Sequence, residues 1–206
     1  MIPGLDLLLA RPCLHVAVDM QRLFAEPTVW HTPGLADILS RVVLLARHAP
    51  RQTVFTRFVC AERPEDATGA WRSYYEHWRS VTLAEMGRRP LDLVDPLREL
   101  VPPARVCDKS THSSFNSGDF RSVVERSGAE VLVLTGVETD VCVLGTALDA
   151  IDEGLYVVVV SDAVASSVPE CHRVTLESIL PRFDEQAVIA TTTEVLAAWR
   201  PERGGT

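Results

Sequence analysis

Val131-Leu132-Val133-Leu134 and Leu155-Tyr156-Val157-Val158-Val159-Val160 are two continuous apolar runs. Between them, residues 140–153 carry apolar positions at helical spacing and stop at Gly154. A strand with one wet face alternates apolar and polar side chains. An unbroken run of Val and Leu fits a strand covered on both faces, the usual condition of parallel sheets. Parallel neighbours need a long crossover, and a helix between two such runs supplies it. This strand–helix–strand unit sets the fold class, and the rest of the chain repeats it. Working backwards, residues 119–127 read as a helix ending at Gly128, and 104–107 as a strand. A second strand is expected at 52–56, a helix at about 34–48, and a first strand at 13–19. Working forwards, a helix from Pro169 to about residue 180 precedes a strand at 186–190 and a helix at 192–199. The pattern predicts an α/β fold of a single domain over residues 1–206. Its architecture is three-layer α/β/α, a doubly wound, Rossmann-like sheet of six parallel strands. One stretch breaks the rhythm. Residues 60–100 contain no clear strand but include Trp71-Arg72-Ser73-Tyr74-Tyr75-Glu76-His77-Trp78. An insertion of that length is read as a lid or binding element, with an oligomer contact or a helix packed on the core as the alternatives, and residues 201–206 as a frayed tail.

Composition narrows the function. At 206 residues and 47% hydrophobic, the chain can bury one sizeable core. A formal net charge of −8, with arginines scattered among acids, argues against a nucleic-acid face or a polybasic membrane surface. No apolar run approaches the roughly 20 residues of a membrane span, and the N-terminus lacks the basic start of a secretory signal. Five widely spaced cysteines, at 13, 60, 107, 142 and 171, fit reduced thiols. The expected location is cytoplasmic.

The basic residues hold one anomaly. Of 20 Lys and Arg, 19 are arginine, and the single lysine is Lys109, in Asp108-Lys109-Ser110-Thr111-His112-Ser113-Ser114-Phe115. An ammonium is a compact point charge that fits beside another reactive group, whereas guanidinium is a broad fork. Ligands of open α/β sheets bind beyond the carboxyl ends of the strands. Three ionisable residues fall there. Asp19 ends the first strand in Val18-Asp19-Met20-Gln21, Lys109 follows the third, and Cys142 follows the fourth in Gly136-Val137-Glu138-Thr139-Asp140-Val141-Cys142-Val143. Cys142 is expected in the first turn of a helix, where the N-terminus and a nearby ammonium both favour thiolate. A carboxylate beside it can take the thiol proton and later activate water.

In these motifs and in their order, the chain resembles the isochorismatase-like cysteine hydrolase superfamily, which includes nicotinamidases, carbamoyl amidohydrolases and isochorismatases. The resemblance runs from Asp19 to the last strand. It implies a catalytic triad of Asp19, Lys109 and Cys142. It further implies a non-proline cis peptide between Val137 and Glu138, which would aim the backbone N–H of Glu138, with that of Cys142, at an oxyanion. Asp162 matches a family position read as structural. The activity implied is hydrolysis of a C–N bond in a small amide or carbamoyl compound through a thioester. The alternatives are isochorismatase-type vinyl-ether hydrolysis and, in another class, a non-catalytic ligand- or protein-binding module. A dinucleotide version of the last would need a glycine-rich turn, and Asp19-Met20-Gln21-Arg22-Leu23-Phe24 has no glycine.

The chain departs from the metal-binding nicotinamidases. Where they carry Asp-x-His after the second strand, it has Thr56-Arg57-Phe58-Val59-Cys60. No metal and no other cofactor is expected, although His112, three residues past Lys109, stays open. Phe24, Trp71 and Tyr74 are the candidate pocket walls, with core packing as their alternative. Arg57 is assigned to a substrate carboxylate, with a structural ion pair as the competing role. The expected partners are a small-molecule amide or carbamoyl substrate and further copies of the chain, as a dimer or tetramer.

Overall fold

The structure, a computed structural model, describes residues 4–201, so all but the first residue of the expected tail lies outside it. Six strands form one all-parallel sheet: β1 (Cys13–Val18), β2 (Thr53–Phe58), β3 (Arg105–Lys109), β4 (Val131–Val137), β5 (Tyr156–Ala165) and β6 (Ala187–Ala190). Their spatial order is β3-β2-β1-β4-β5-β6. The chain winds outward in one direction from β1 and in the other from β4. A crevice therefore opens between their carboxyl ends, the switch point where such sheets bind ligands.

The apolar runs behave as their composition requires. Ala17, Val131, Val133, Val158 and Val160 point to one face, and pack under the helices Leu35–His48 and Thr192–Ala198. Leu14, Val16, Val18, Leu132, Leu134, Val157 and Val159 point to the other, under the helices Gly118–Ser127 and Leu144–Asp152. The period-2 alternation is present but apolar on both sides, so it is invisible in a hydropathy profile. β5 runs five residues further than its apolar run, through Ser161 and Asp162. Asp162 is accommodated there because its carboxylate accepts from the Thr192 N–H (2.7 Å) and hydroxyl (2.8 Å) and pairs with Arg41. His15, also on a buried strand, sits between the hydroxyls of Thr53 (3.2 Å) and Thr135 (2.9 Å). Burial drives its pKa down to about 3, so it is a neutral structural group.

β1 and β4 approach closely just before the crevice. Val18 and Gly136 are partners in register, and Gly136 has φ +103°. A Cβ there would lie 2.1 Å from the Val18 carbonyl oxygen, so only glycine fits.

The 60–100 region folds onto the first face rather than standing off it. It is a chain of short helical pieces, among them Ala70–His77, Leu83–Met86 and Asp95–Arg98. Tyr75, Val81, Leu93, Val94 and Leu97 are buried in the same core cluster as Phe55 and Phe58. Leu93 also bridges Gln21 beyond β1. Gln21 is buried and fully used. Its amide NH₂ donates to the carbonyls of Phe58 (3.1 Å) and Leu91 (3.0 Å), and its carbonyl oxygen accepts the Phe58 N–H (2.7 Å). One side chain thus locks the ends of β1 and β2 to the inserted region. None of the described helices is long and apolar enough to cross a membrane.

Candidate active site

Asp19 is the first residue past β1, and its φ is +52°. It is fully buried. The Thr56 hydroxyl donates to one carboxylate oxygen (3.1 Å) and the Lys109 ammonium to the other (2.7 Å). Lys109 is the last residue of β3 itself, not a loop residue, and its side chain is 1% exposed. Its other two hydrogens go to the carbonyls of Thr111 and His112, each at 3.0 Å. Three donors meet three acceptors, so the ammonium is rigidly held. Burial opposes this charge, but the Asp19 carboxylate and Cys142 outweigh it and keep the Lys109 pKa above the ordinary lysine value.

Cys142 completes the group. It lies in a π turn, Thr139–Val143, that precedes the α-helix Leu144–Asp152. The expectation of a first α-helical turn is therefore corrected: the turn is wider by one residue, and only Glu138 separates its start from β4. The Val137–Glu138 peptide is cis. Cys142 interacts electrostatically with both the Lys109 ammonium and Asp19. Its electrostatics also differ from the sequence reading. Burial pushes the thiol well above its ordinary range; Lys109 pulls it part of the way back, and Asp19 raises it again. The resting group is a thiol facing a carboxylate, with the ammonium beside both.

A cavity of about 250 Å³ opens onto Cys142. Phe24 and Tyr74 line it. Trp71 does not. It stands behind the wall, packed on Tyr74 (5.2 Å between ring centroids), Phe58 (6.1 Å) and the His112 ring (5.0 Å). Arg57, assigned in the sequence to a substrate carboxylate, is not among the residues lining this cavity. In register opposite Asp108 on β3, it donates Nε and one Nη to that carboxylate at 2.7 and 2.8 Å. This is the geometry of the competing role, an ion pair across β2 and β3.

The residue that the sequence reading passed over is Trp30. It sits at the centre of the aromatic wall, stacked on Phe24 (6.2 Å) and in contact with Phe58 (5.8 Å), Tyr74 (5.8 Å) and Trp78 (6.4 Å). Its one signal is a tryptophan in a segment between Pro27 and Pro33 that belongs to no periodic pattern. The Glu138 side chain ties this segment down, accepting from the Thr32 hydroxyl (3.0 Å) and from the Ser167 N–H (2.8 Å) on the opposite rim. His112, left open in the sequence, lines the cavity. Burial, and then Lys109, hold its pKa below the ordinary histidine value.

The donor set does not suit a metal. Among the described residues no three His, Cys, Asp or Glu side chains gather in one place. Past β2 the chain offers Val59 and the thiol of Cys60, which burial pushes up to about 12. A buried neutral thiol is a poor ligand, because the thiolate is the form that binds metal.

Comparison with known proteins places the chain among relatives. The chain is 30% identical over 165 residues to Nicotinamidase 3 of Arabidopsis thaliana, covering 80% of this chain and 78% of that protein. It is 32% identical over 112 residues to Isochorismatase family protein 2A of Dictyostelium discoideum, a match spanning 51% of this chain and 54% of that one. The crystal structure of a cysteine hydrolase from Pseudomonas syringae pv. phaseolicola superposes with a TM-score of 0.75 at 22% identity, over 96% of this chain and 94% of the other. At that identity the likeness is one of fold. The model of the isochorismatase domain matches residues 13–194. With that match covering nearly the whole sheet, from the first residue of β1 to the closing helix, the chain belongs to the isochorismatase family of hydrolases.

Proposed function

We propose that the protein is a cytoplasmic cysteine hydrolase that cleaves the C–N bond of a small amide or carbamoyl compound through a thioester, using Asp19, Lys109 and Cys142. The observation that carries this reading is the buried trio itself. A carboxylate fixed by Thr56 and Lys109 is coupled electrostatically to the thiol of Cys142, which lines an apolar, aromatic-walled cavity. Because the resting thiol is protonated, the sulfur becomes nucleophilic only as Asp19 takes its proton, and the step is base-assisted attack on the carbonyl carbon. Lys109 offsets the negative charge that moves between carboxylate and sulfur. The backbone N–H groups of Glu138 and Cys142 receive the developing oxyanion. As the C–N bond breaks, Asp19 returns its proton to the leaving nitrogen. Asp19 then takes a proton from water as the oxygen attacks the thioester, and acid and free thiol are released. The similarity to a protein named as a nicotinamidase supports amide chemistry. Vinyl-ether hydrolysis would leave Cys142 without a part to play. The five free cysteines suit a reducing compartment.

The test is ammonia release from a panel of small amides and ureido compounds, with Cys142→Ala as the blank. Turnover that survives in Cys142→Ala, or trapped product without a thioester intermediate, would sink the mechanism.

A further inference from the structure

We infer that the Glu138 side chain is a positioning residue. It clasps the two rims of the Cys142 cavity through one carboxylate oxygen, and by its length rather than its charge it sets how wide the mouth stands. The inference goes beyond the hydrolase reading and does not depend on which bond Cys142 attacks. One rim is the segment that carries Trp30, the other the segment that carries Ser167. Their bases come close: a Cβ on Gly34 would lie 3.0 Å from that of Ala165. Two residues out from this approach on either side, at Thr32 and Ser167, both rims reach Glu138. The Thr32 hydroxyl (3.0 Å) and the Ser167 N–H (2.8 Å) donate to the same atom, Oε1.

Each donor is placed to carry its rim. Thr32 is fully buried. Its N–H donates to the Phe24 carbonyl (2.8 Å), closing the loop around Trp30, and its carbonyl accepts the Leu35 N–H (2.9 Å) where the helix Leu35–His48 begins. Holding the Thr32 hydroxyl therefore holds Phe24 and Trp30, two walls of the cavity. Ser167 stands at the start of an exposed stretch, 167–171, in which Val168 is 48% exposed. A segment with so little packing of its own depends on its hydrogen bonds to stay in place. The next residue after Glu138 adds a second tie, since the Thr139 hydroxyl lies 2.9 Å from the His172 Nδ1 in the helix Pro169–Val174. At its own end Glu138 is anchored too. Its carbonyl accepts the Val141 (3.1 Å) and Val143 (3.0 Å) N–H groups and closes the turn that carries Cys142. One residue thus fixes the walls relative to the sulfur. Because both bonds fall on one oxygen, the charge is dispensable. A glutamine amide presents a carbonyl oxygen at the same reach, whereas aspartate keeps the charge and stops one methylene short.

Hydrogen exchange of the intact protein, read by mass spectrometry over 24–34 and 165–170, tests the clasp. Glu138→Ala and Glu138→Asp should speed exchange in both segments by about tenfold or more, the size expected for a lost bond to a charged acceptor. Glu138→Gln should keep the wild-type rates, and β1 should not change in any variant. Thr32→Val removes one donor and should loosen 24–34 while 165–170 stays as in wild type, an arm that holds even where Glu138→Ala does not fold. Alkylation then measures the mouth. Iodoacetamide and N-(1-pyrenyl)iodoacetamide are both uncharged and react by one step: sulfur bonds to the methylene carbon, iodide leaves with the electron pair, and the thiol proton passes to Asp19 or to water. The bulky-to-small rate ratio at Cys142, divided by the ratio at exposed Cys171, should rise about tenfold in Glu138→Ala and Glu138→Asp and hold in Glu138→Gln. Unchanged exchange in Glu138→Ala would overturn the clasp. So would wild-type behaviour in Glu138→Asp with loosening in Glu138→Gln, because charge rather than reach would then be at work. Rims that open in the expected order with no rise in the Cys142 ratio, or with Cys142 unlabelled throughout, would refute its role in setting the mouth.

Discussion

Replacing Lys109 by Met should destabilise the protein far more than the loss of one lysine suggests. The Lys109–Asp19 pair is 2.7 Å long, with side chains 1% and 0% exposed, so neither charge has water to fall back on. Removing one partner of such a pair typically costs about 3–5 kcal/mol, because the remaining charge is left buried and unpaired. Thr56 still donates to Asp19 in the variant, which places the expected loss near the lower figure. For a chain of this size each kcal/mol lowers Tm by roughly 2–4 °C, so a fall of about 6–12 °C is expected. The same reasoning predicts partial rescue. In Asp19→Asn/Lys109→Met no charge is stranded, and the double variant should be more stable than the sum of its single losses predicts. Lys109→Arg keeps the charge but forces a larger planar head between three fixed acceptors, which costs about 1–3 kcal/mol in overpacking and should abolish turnover. Urea unfolding of wild type, Asp19→Asn, Lys109→Met and the double variant at pH 7, fitted with a common m-value, measures the cycle. A Lys109→Met loss below about 1 kcal/mol, or strict additivity in the double variant, would refute the claim that the pair is a coupled buried unit.

Two further outcomes follow from the same coordinates. Arg57→Ala should leave kcat/KM unchanged and cost about 0–1 kcal/mol in denaturant, since its pair with Asp108 is partly exposed; a large rise in KM would return Arg57 to the substrate. His15, buried neutral with its pKa lowered to about 3, takes up a proton on unfolding below about pH 6.5. Its stabilising contribution is complete above that pH and falls by roughly 1.4 kcal/mol per unit as pH drops towards 3. Unfolding of wild type and His15→Asn at pH 4, 5, 6 and 7 should therefore give a shallower pH dependence in the variant, and parallel curves would contradict the assignment.

The order Asp19, Lys109, Cys142 and the buried character of β1, β4 and β5 are properties of short stretches of chain, and they were legible as such. An apolar run has no stable place except between two covering layers, and right-handed crossovers then leave few ways to wind the sheet. The solitary lysine among 19 arginines stood out in the sequence, and the structure buries it against Asp19. What only the tertiary structure decided depends on which residues meet across the sheet. Arg57 has Asp108 for a partner because β2 and β3 pair in that register, and nothing within either stretch specifies it. Trp30 becomes the centre of a wall through rings contributed by β2 and by the 60–100 region, up to 48 residues away along the chain. The state of Cys142 was the subtlest point. Its chemistry and its lysine neighbour both favour thiolate, yet the depth at which the sheet and the π turn bury it favours the thiol more strongly. Depth is a property of the assembled fold, because desolvation sums over every atom packed around the sulfur, and no local pattern in the chain records that sum.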